Sequence, residues 1–215
     1  MSVLNLWNQN LGSVPASVFD NVEATSLILA GNALTALPAA IARLTHLRTL
    51  DLGHNQLTSV PEALGDLTGL SDFLYLHDNR LSTLPASLSH LTQLRYLNIS
   101  DNAFPELPRA IAGMTALVEL RAENNRLAGL PEHIARLGRL RELHLRNNCL
   151  TSLPQGIGAL SDLRHLDLRG NPLTQLQDSI AALPRLQKLD LRWIPNLRAP
   201  AWLNDLERRS CLVYL

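Results

Sequence analysis

This chain of 215 residues is short of several things, and each shortage excludes a class of protein. It has two cysteines, Cys149 and Cys211, far apart and outside any metal-ligand spacing. That argues against a disulfide-stapled scaffold and a cysteine zinc site, and favours a reducing compartment. No apolar run approaches the roughly 20 residues of a membrane-spanning helix. The opening "MSVLNLWNQN" lacks the basic segment followed by an apolar one that marks a secretory leader. A cytoplasmic location is therefore expected, with export as an effector lacking a recognisable signal as the alternative. Excess charge is missing too: 19 basic residues face 19 acidic ones, and lysine occurs once, at Lys188. A general role on nucleic acid or a membrane surface needs a net basic field, so neither is expected as a partner. No G-x-S-x-G, phosphate-cradling glycine loop or H-E-x-x-H occurs. The chain is expected to be no enzyme and to carry no cofactor and no metal.

What the chain does have is a period. Units beginning at Met1, Ala24, Leu47, Leu70, Leu94, Leu117, Leu140, Leu163 and Leu186 are 23 residues long, except the fourth, which has 24. In each, an L-x-L alternation marks a short strand. Asparagine follows it at Asn32, Asn55, Asn79, Asn102, Asn125, Asn148 and Asn171, suited to a turn whose buried amides need a polar partner. Then "LP" and apolar residues three apart read as a short helix on the opposite side. One unit cannot bury its apolar side alone, but stacked units share a continuous core. Ala122 stands where other units have a large aliphatic residue, so looser packing is expected there.

The repeated pattern, as in "LRTLDLGHNQLTSVPEALGDLTG", resembles the leucine-rich-repeat superfamily over essentially the whole chain. It is most similar to the intracellular 23-residue type found in plant Ras-group-related proteins, animal Ras-pathway scaffolds and bacterial proteins. The resemblance implies a single domain over 1–215, an α/β solenoid shaped as a horseshoe. A concave parallel β-sheet would be backed by short helices or 3-10 turns on the convex side. It also implies a protein-interaction module, a scaffold or adaptor in signalling, that binds its partner on the concave face.

The ends depart from the repeat. Ile194 replaces the ladder asparagine, "PAWLNDLERRS" reads as a short helix and "CLVYL" as a closing strand, giving a cap over 194–215. Trp193 and Trp202 are expected to cover the last core layer. At the other end Leu4, Leu6, Leu11 and Val14 are expected to have an open side. Val3–Trp7 would be an unpaired strand edge, which either frays or pairs with a second copy as a weak homodimer.

Three columns should line the concave face. One runs Val3, Ser26, Thr49, Phe73, Tyr96, Glu119, Glu142, His165, Lys188. A second runs Asn5, Ile28, Asp51, Tyr75, Asn98, Arg121, His144, Asp167, Asp190. The third runs Trp7, Ala30, Gly53, His77, Ser100, Glu123, Arg146, Arg169, Arg192. Tyrosine and arginine are common binding anchors. The residues expected to bind a partner are therefore Phe73, Tyr75, His77, Tyr96, Arg121, His144, Arg146, Arg169 and Arg192. A column of arginines suits an acidic partner segment, unless Asp167 and Asp190 neutralise it. The alternative ligand is a glycan stacked on Tyr75, Tyr96 and Trp7. Glu142, His144, His165 and Asp167 form a square of metal-ligand types, but cross-strand charge pairing accounts for it better. The surplus residue of "LSDFLYLHDN" should lie among Ser71, Asp72 and Phe73, where a bulge can absorb it.

Overall fold

The computed structural model describes residues 2–215. Ten strands form one parallel sheet in strict chain order: β1 (Ser2–Asn5), β2 (Ala24–Ile28), β3 (Thr49–Asp51), β4 (Phe73–Tyr75), β5 (Tyr96–Asn98), β6 (Glu119–Arg121), β7 (Glu142–His144), β8 (His165–Asp167), β9 (Lys188–Asp190) and β10 (Leu212–Tyr214). Apart from a shift between Ser2 and Val3 at the start of β1, register follows the repeat: Leu50 pairs with Leu74, Leu97 with Leu120 and Leu143 with Leu166. Each of β1 to β8 returns through a five-residue 3-10 turn, such as Glu62–Asp66 or Gln155–Ala159. Proline precedes most of these turns in an extended conformation, as at Pro61 (φ −71°, ψ 153°). Its fixed φ and missing N–H suit that entry position. Apolar residues three apart match the three-residue period of a 3-10 helix, so Leu64 and Leu67 both turn inward and are fully buried.

Between the two sides runs one core of stacked leucine columns, with Phe104 its largest fully buried side chain. Ala122 is itself fully buried. The asparagine ladder closes the hydrogen bonding of the turns. Asn125 Oδ1 accepts the Phe104 amide at 3.1 Å, while its Nδ2 donates to the carbonyls of Ile99, Ala122 and Glu123. Each asparagine thus ties its own turn to the preceding unit. Just before the ladder position every unit has a residue with positive φ: Asn8, Gly31, His54, Asp78, Asp101, Asn124, Asn147, Gly170 and Trp193. Gly, Asn and Asp enter this region at little cost, whereas a bulky tryptophan is strained there.

The 24-residue unit resolves to a bulge at Ser71. Elsewhere consecutive amides share one carbonyl, as Arg164 and His165 do on that of Arg141. After the longer unit they separate: the Arg95 amide goes to the Ser71 carbonyl and the Tyr96 amide to that of Asp72. Two residues serve where one normally does, and β4 and β5 stay in register.

At the carboxyl end, helix α1 (Leu203–Arg208) and β10 close the core. Leu203, Leu206 and Cys211 are buried, and Trp202 packs against the core with its Nε1–H on Asp178. Trp193 does not cover the core as expected; it is 65% exposed. The next residue, Ile194, takes the inward ladder position and leaves Trp193 on the outer side of the turn. At the other end Leu4, Leu6 and Leu11 are half-buried as an open side requires, but Val14 is buried beside Val18 and Phe19.

Candidate functional site

The concave face has two kinds of residue: those the fold already uses and those it does not. In the second column, Asn5, Asp51, Asn98, Asp167 and Asp190 each accept the backbone N–H two residues on. An Asp or Asn side chain reaches that amide easily, so these residues terminate their strands. The other members of the column, Ile28, Tyr75, Arg121 and His144, make no such bond and are free for other work.

Tyr75 and its neighbours are assembled as expected. Phe73, Tyr75 and Tyr96 form a triangle with ring centroids 5.8, 5.4 and 5.1 Å apart. His77 meets Tyr75 edge-on at 5.9 Å, and His54 meets His77 at 4.7 Å. Phe73 is 42% exposed, although aromatic side chains usually gain from burial. Burial pushes the Tyr96 phenol up to about 12 and raises that of Tyr75, with Asp51 and Glu119 adding to the latter. Both tyrosines therefore remain neutral hydrogen-bond donors on an apolar floor. Burial beside His54 lowers the His77 pKa, outweighing the nearby carboxylates. His77 lies flat over Gly53, where a Cβ would come within 2.4 Å of its Cε1. Beside the cluster, a cleft of about 280 Å³ is lined by Asp72, Phe73, Arg95, Tyr96, Val118 and Glu119. The Ser71 bulge sits at its rim, where Arg48 bonds both Ser71 Oγ and Asp72 Oδ1.

In the basic half the expected cross-strand contact of Glu142 with His165 is present at 3.7 Å, but the shorter contacts run along single strands. Charges pair along their own strands: Arg121 with Glu119 (2.6 Å), His144 with Glu142 (3.1 Å), Arg169 with Asp167, and Arg192 with Asp190. Residues i and i+2 of a strand share a face, so the nearest opposite charge is two positions away. Arg169 and Arg192 each hold their aspartate with both Nε and Nη2, and Arg169 also lies 3.5 Å from Asp190. For Asp190 burial alone would raise the pKa. Hydrogen bonds from the Arg192 side chain and amide, with the charges of Arg169 and Arg192, more than reverse it. The square of His144, His165, Glu142 and Asp167 is thereby divided. Asp167 belongs to Arg169, while Glu142 Oε2 lies 3.1 Å from His144 and 3.7 Å from His165. Carboxylates of Glu119, Glu142, Glu123 and Asp167 surround His144 in two groups that could hold a metal, but Glu119 and Asp167 are already bound to arginines.

Arg146 stands apart. It forms no ion pair among the described residues, and its buried Nε has no hydrogen-bond partner. Sequence reasoning missed two aromatic residues nearby. The Trp193 ring carries the guanidinium groups of Arg169 and Arg192 at 5.6 and 5.8 Å. Tyr214 carries Arg192 and Lys188 at 5.2 and 5.5 Å. A signal for Trp193 was present: it directly precedes the ladder position, where neighbouring units have Asn, Asp or Gly.

A leucine rich repeat family model matches residues 1–57, 23–81, 72–127 and 138–193. Among solved structures, the plant peptide hormone receptor RGFR1 in complex with RGF2 is similar at TM-score 0.75 and 29% identity, over 91% of this chain and 34% of that one. The ectodomain of GASSHO1/SCHENGEN3 from Arabidopsis thaliana, in complex with CASPARIAN STRIP INTEGRITY FACTOR 2, is similar at 0.72 and 29%, over 100% of this chain and 29% of that one. The Toll–Spatzle complex of Drosophila gives 0.81 at 25% identity, over 90% of this chain and 28% of that one. This chain thus spans about a third of the length of these structures. No curated protein matches it. With the matched models covering most of its length and the repeat intact in three dimensions, the chain belongs to the leucine-rich-repeat family.

Proposed function

We propose that this protein is an interaction module, a scaffold or adaptor rather than an enzyme, which binds an extended segment of a protein partner across its concave face. The observation that carries this reading is the aromatic triangle of Phe73, Tyr75 and Tyr96 on β4 and β5. These side chains build no core, so a half-open aromatic floor on a sheet that faces solvent is best explained by a ligand. The similar structures whose descriptions name a peptide or protein complex support the class of ligand. Arg146, the concave arginine without an ion pair, would meet an acidic group of the bound segment. Arg169 and Arg192 would contribute through Trp193 rather than as free cations. A glycan is the second reading, but Tyr75 and Tyr96 are tilted 48° to one another and offer no flat stacking platform.

Affinity selection from a random peptide library, with wild type against a Tyr75→Ala/Arg146→Ala variant, tests the proposal. Peptides retained by wild type and lost by the variant are expected, with binding that weakens in salt. Ligands that bind both proteins equally would overturn it. On a parallel glycan array, saccharides bound by wild type and lost by the variant, with no salt dependence, would transfer the site to the glycan reading.

A further inference from the structure

Two imidazoles meet nitrogen to nitrogen at the edge of the concave face, and the aromatic site does not account for their arrangement. His54 lies on the turn after β3, held at φ +53°, and His77 on the turn after β4. Their Nε2 atoms are 3.3 Å apart. His54 Nδ1 lies 2.6 Å from Asp78 Oδ2. A carboxylate at that distance accepts a hydrogen bond from the Nδ1–H of the imidazole and leaves Nε2 with a bare lone pair. That lone pair faces His77.

Apart from that contact with His54, His77 is fixed by packing. Its ring rests on Gly53, where any Cβ would lie within 2.9 Å of both ring nitrogens. Its Nδ1 is buried and has no partner. Only Nε2 is left for chemistry, and it points to the same place as Nε2 of His54. Two nitrogens bound at about 2.0–2.1 Å to one tetrahedral ion stand about 3.3–3.4 Å apart. The negative charges of Asp51, Asp78 and Asp101 act on His77.

We propose that His54 and His77 form a binding site for a divalent transition metal of the zinc type, with Asp78 as the carboxylate that orients His54. A carboxylate–histidine–metal chain is the usual way a ligating imidazole is held. Imidazole donors select zinc, copper or nickel over magnesium and calcium. Two protein donors leave the remaining positions to water, or to a donor from whatever occupies the neighbouring aromatic floor. The site stands whether or not that floor binds a peptide. The His144 group is the competing location on this chain, but in each of its two sets one carboxylate, Glu119 or Asp167, already serves Arg121 or Arg169.

Isothermal titration with zinc chloride, and the visible absorption of the cobalt(II) form, test the assignment on the full chain. Wild type is expected to take up one zinc ion saturably. His54→Gln and His77→Gln should each weaken binding at least about tenfold, and Asp78→Asn about tenfold, the usual range for a group behind the ligand. Gly53→Ala keeps both histidines but displaces the His77 ring, so it should weaken binding too. His144→Gln should leave binding unchanged, and far-ultraviolet circular dichroism verifies that each variant is folded. Absence of saturable zinc binding would overturn the proposal and leave a proton-sharing imidazole pair. Binding lost in His144→Gln but kept in His77→Gln would overturn it as well.

Discussion

Both carboxylate oxygens of Asp190 are held by Arg192, with Nε 2.9 Å from Oδ1 and Nη2 2.7 Å from Oδ2, although Asp190 is only 1% exposed. A carboxylate this deep is retained by its partners, since an unpaired buried charge is strongly unfavourable. Asp190→Asn keeps the shape but turns an amide toward a guanidinium, and should cost about 1–3 kcal/mol in urea unfolding at pH 7. The folded pKa of Asp190 is depressed, so its contribution is present above the unfolded value of about 3.9 and disappears as pH falls through the folded value. The difference between wild type and variant should therefore close below about pH 4. A constant difference down to pH 2 would contradict the ion-paired carboxylate.

Asn125 serves four backbone groups at once; removing it orphans the Phe104 amide, while the carbonyls of Ile99, Ala122 and Glu123 each lose one of two donors. Asn125→Ala should destabilise the chain by about 2–4 kcal/mol, more than a typical surface substitution. Chemical denaturation followed by circular dichroism measures this. Asn124→Gly, one position earlier, removes side-chain bonds to Asp101 and Asn147 but keeps a residue that tolerates φ +52°, and should cost less.

Tyr96 should titrate late. Its folded pKa of about 12 lies above the ordinary 10.0 because burial disfavours the phenolate. Below the unfolded value the neutral phenol is bound equally in both states and stability is complete. Between 10.0 and about 12 the unfolded chain ionises first, so stability falls with rising pH. Absorbance at the phenolate band, as the difference between wild type and Tyr96→Phe, should show the delayed midpoint. The variant should lose less stability over the same range.

Deleting Ser71 would restore a 23-residue unit without touching the buried leucines. The Arg95 amide can then share the Asp72 carbonyl, as paired amides do elsewhere. The deletion variant should fold with unchanged or higher stability in thermal unfolding. If the bulge shapes the approach to Phe73 and Tyr96, peptide affinity should fall while stability does not. Equal affinity would mark the insertion as a neutral slip.

The concave site was legible in the sequence as far as columns could take it. Phe73, Tyr75 and Tyr96 come together because register and pleat alone decide which residues share a face. The meeting of His54 with His77 was not legible in those columns, since it depends on a left-handed turn and on the space that Gly53 leaves. Trp193 was assigned to the core because size and hydrophobicity favour burial, but its phase within the turn placed it outside.

The repeat by itself determined the order of strands, their register, the buried leucine columns and the asparagine ladder. Each of these follows from a short period repeated until only one stacking buries the apolar side. Tertiary structure alone decided the partners of the charged and aromatic side chains. Arg169 and Arg192 turned to aspartates on their own strands, Arg146 was left free, and two imidazoles met across a turn. Those outcomes rest on rotamers and on distances of a few ångströms, which a column of residue types does not contain.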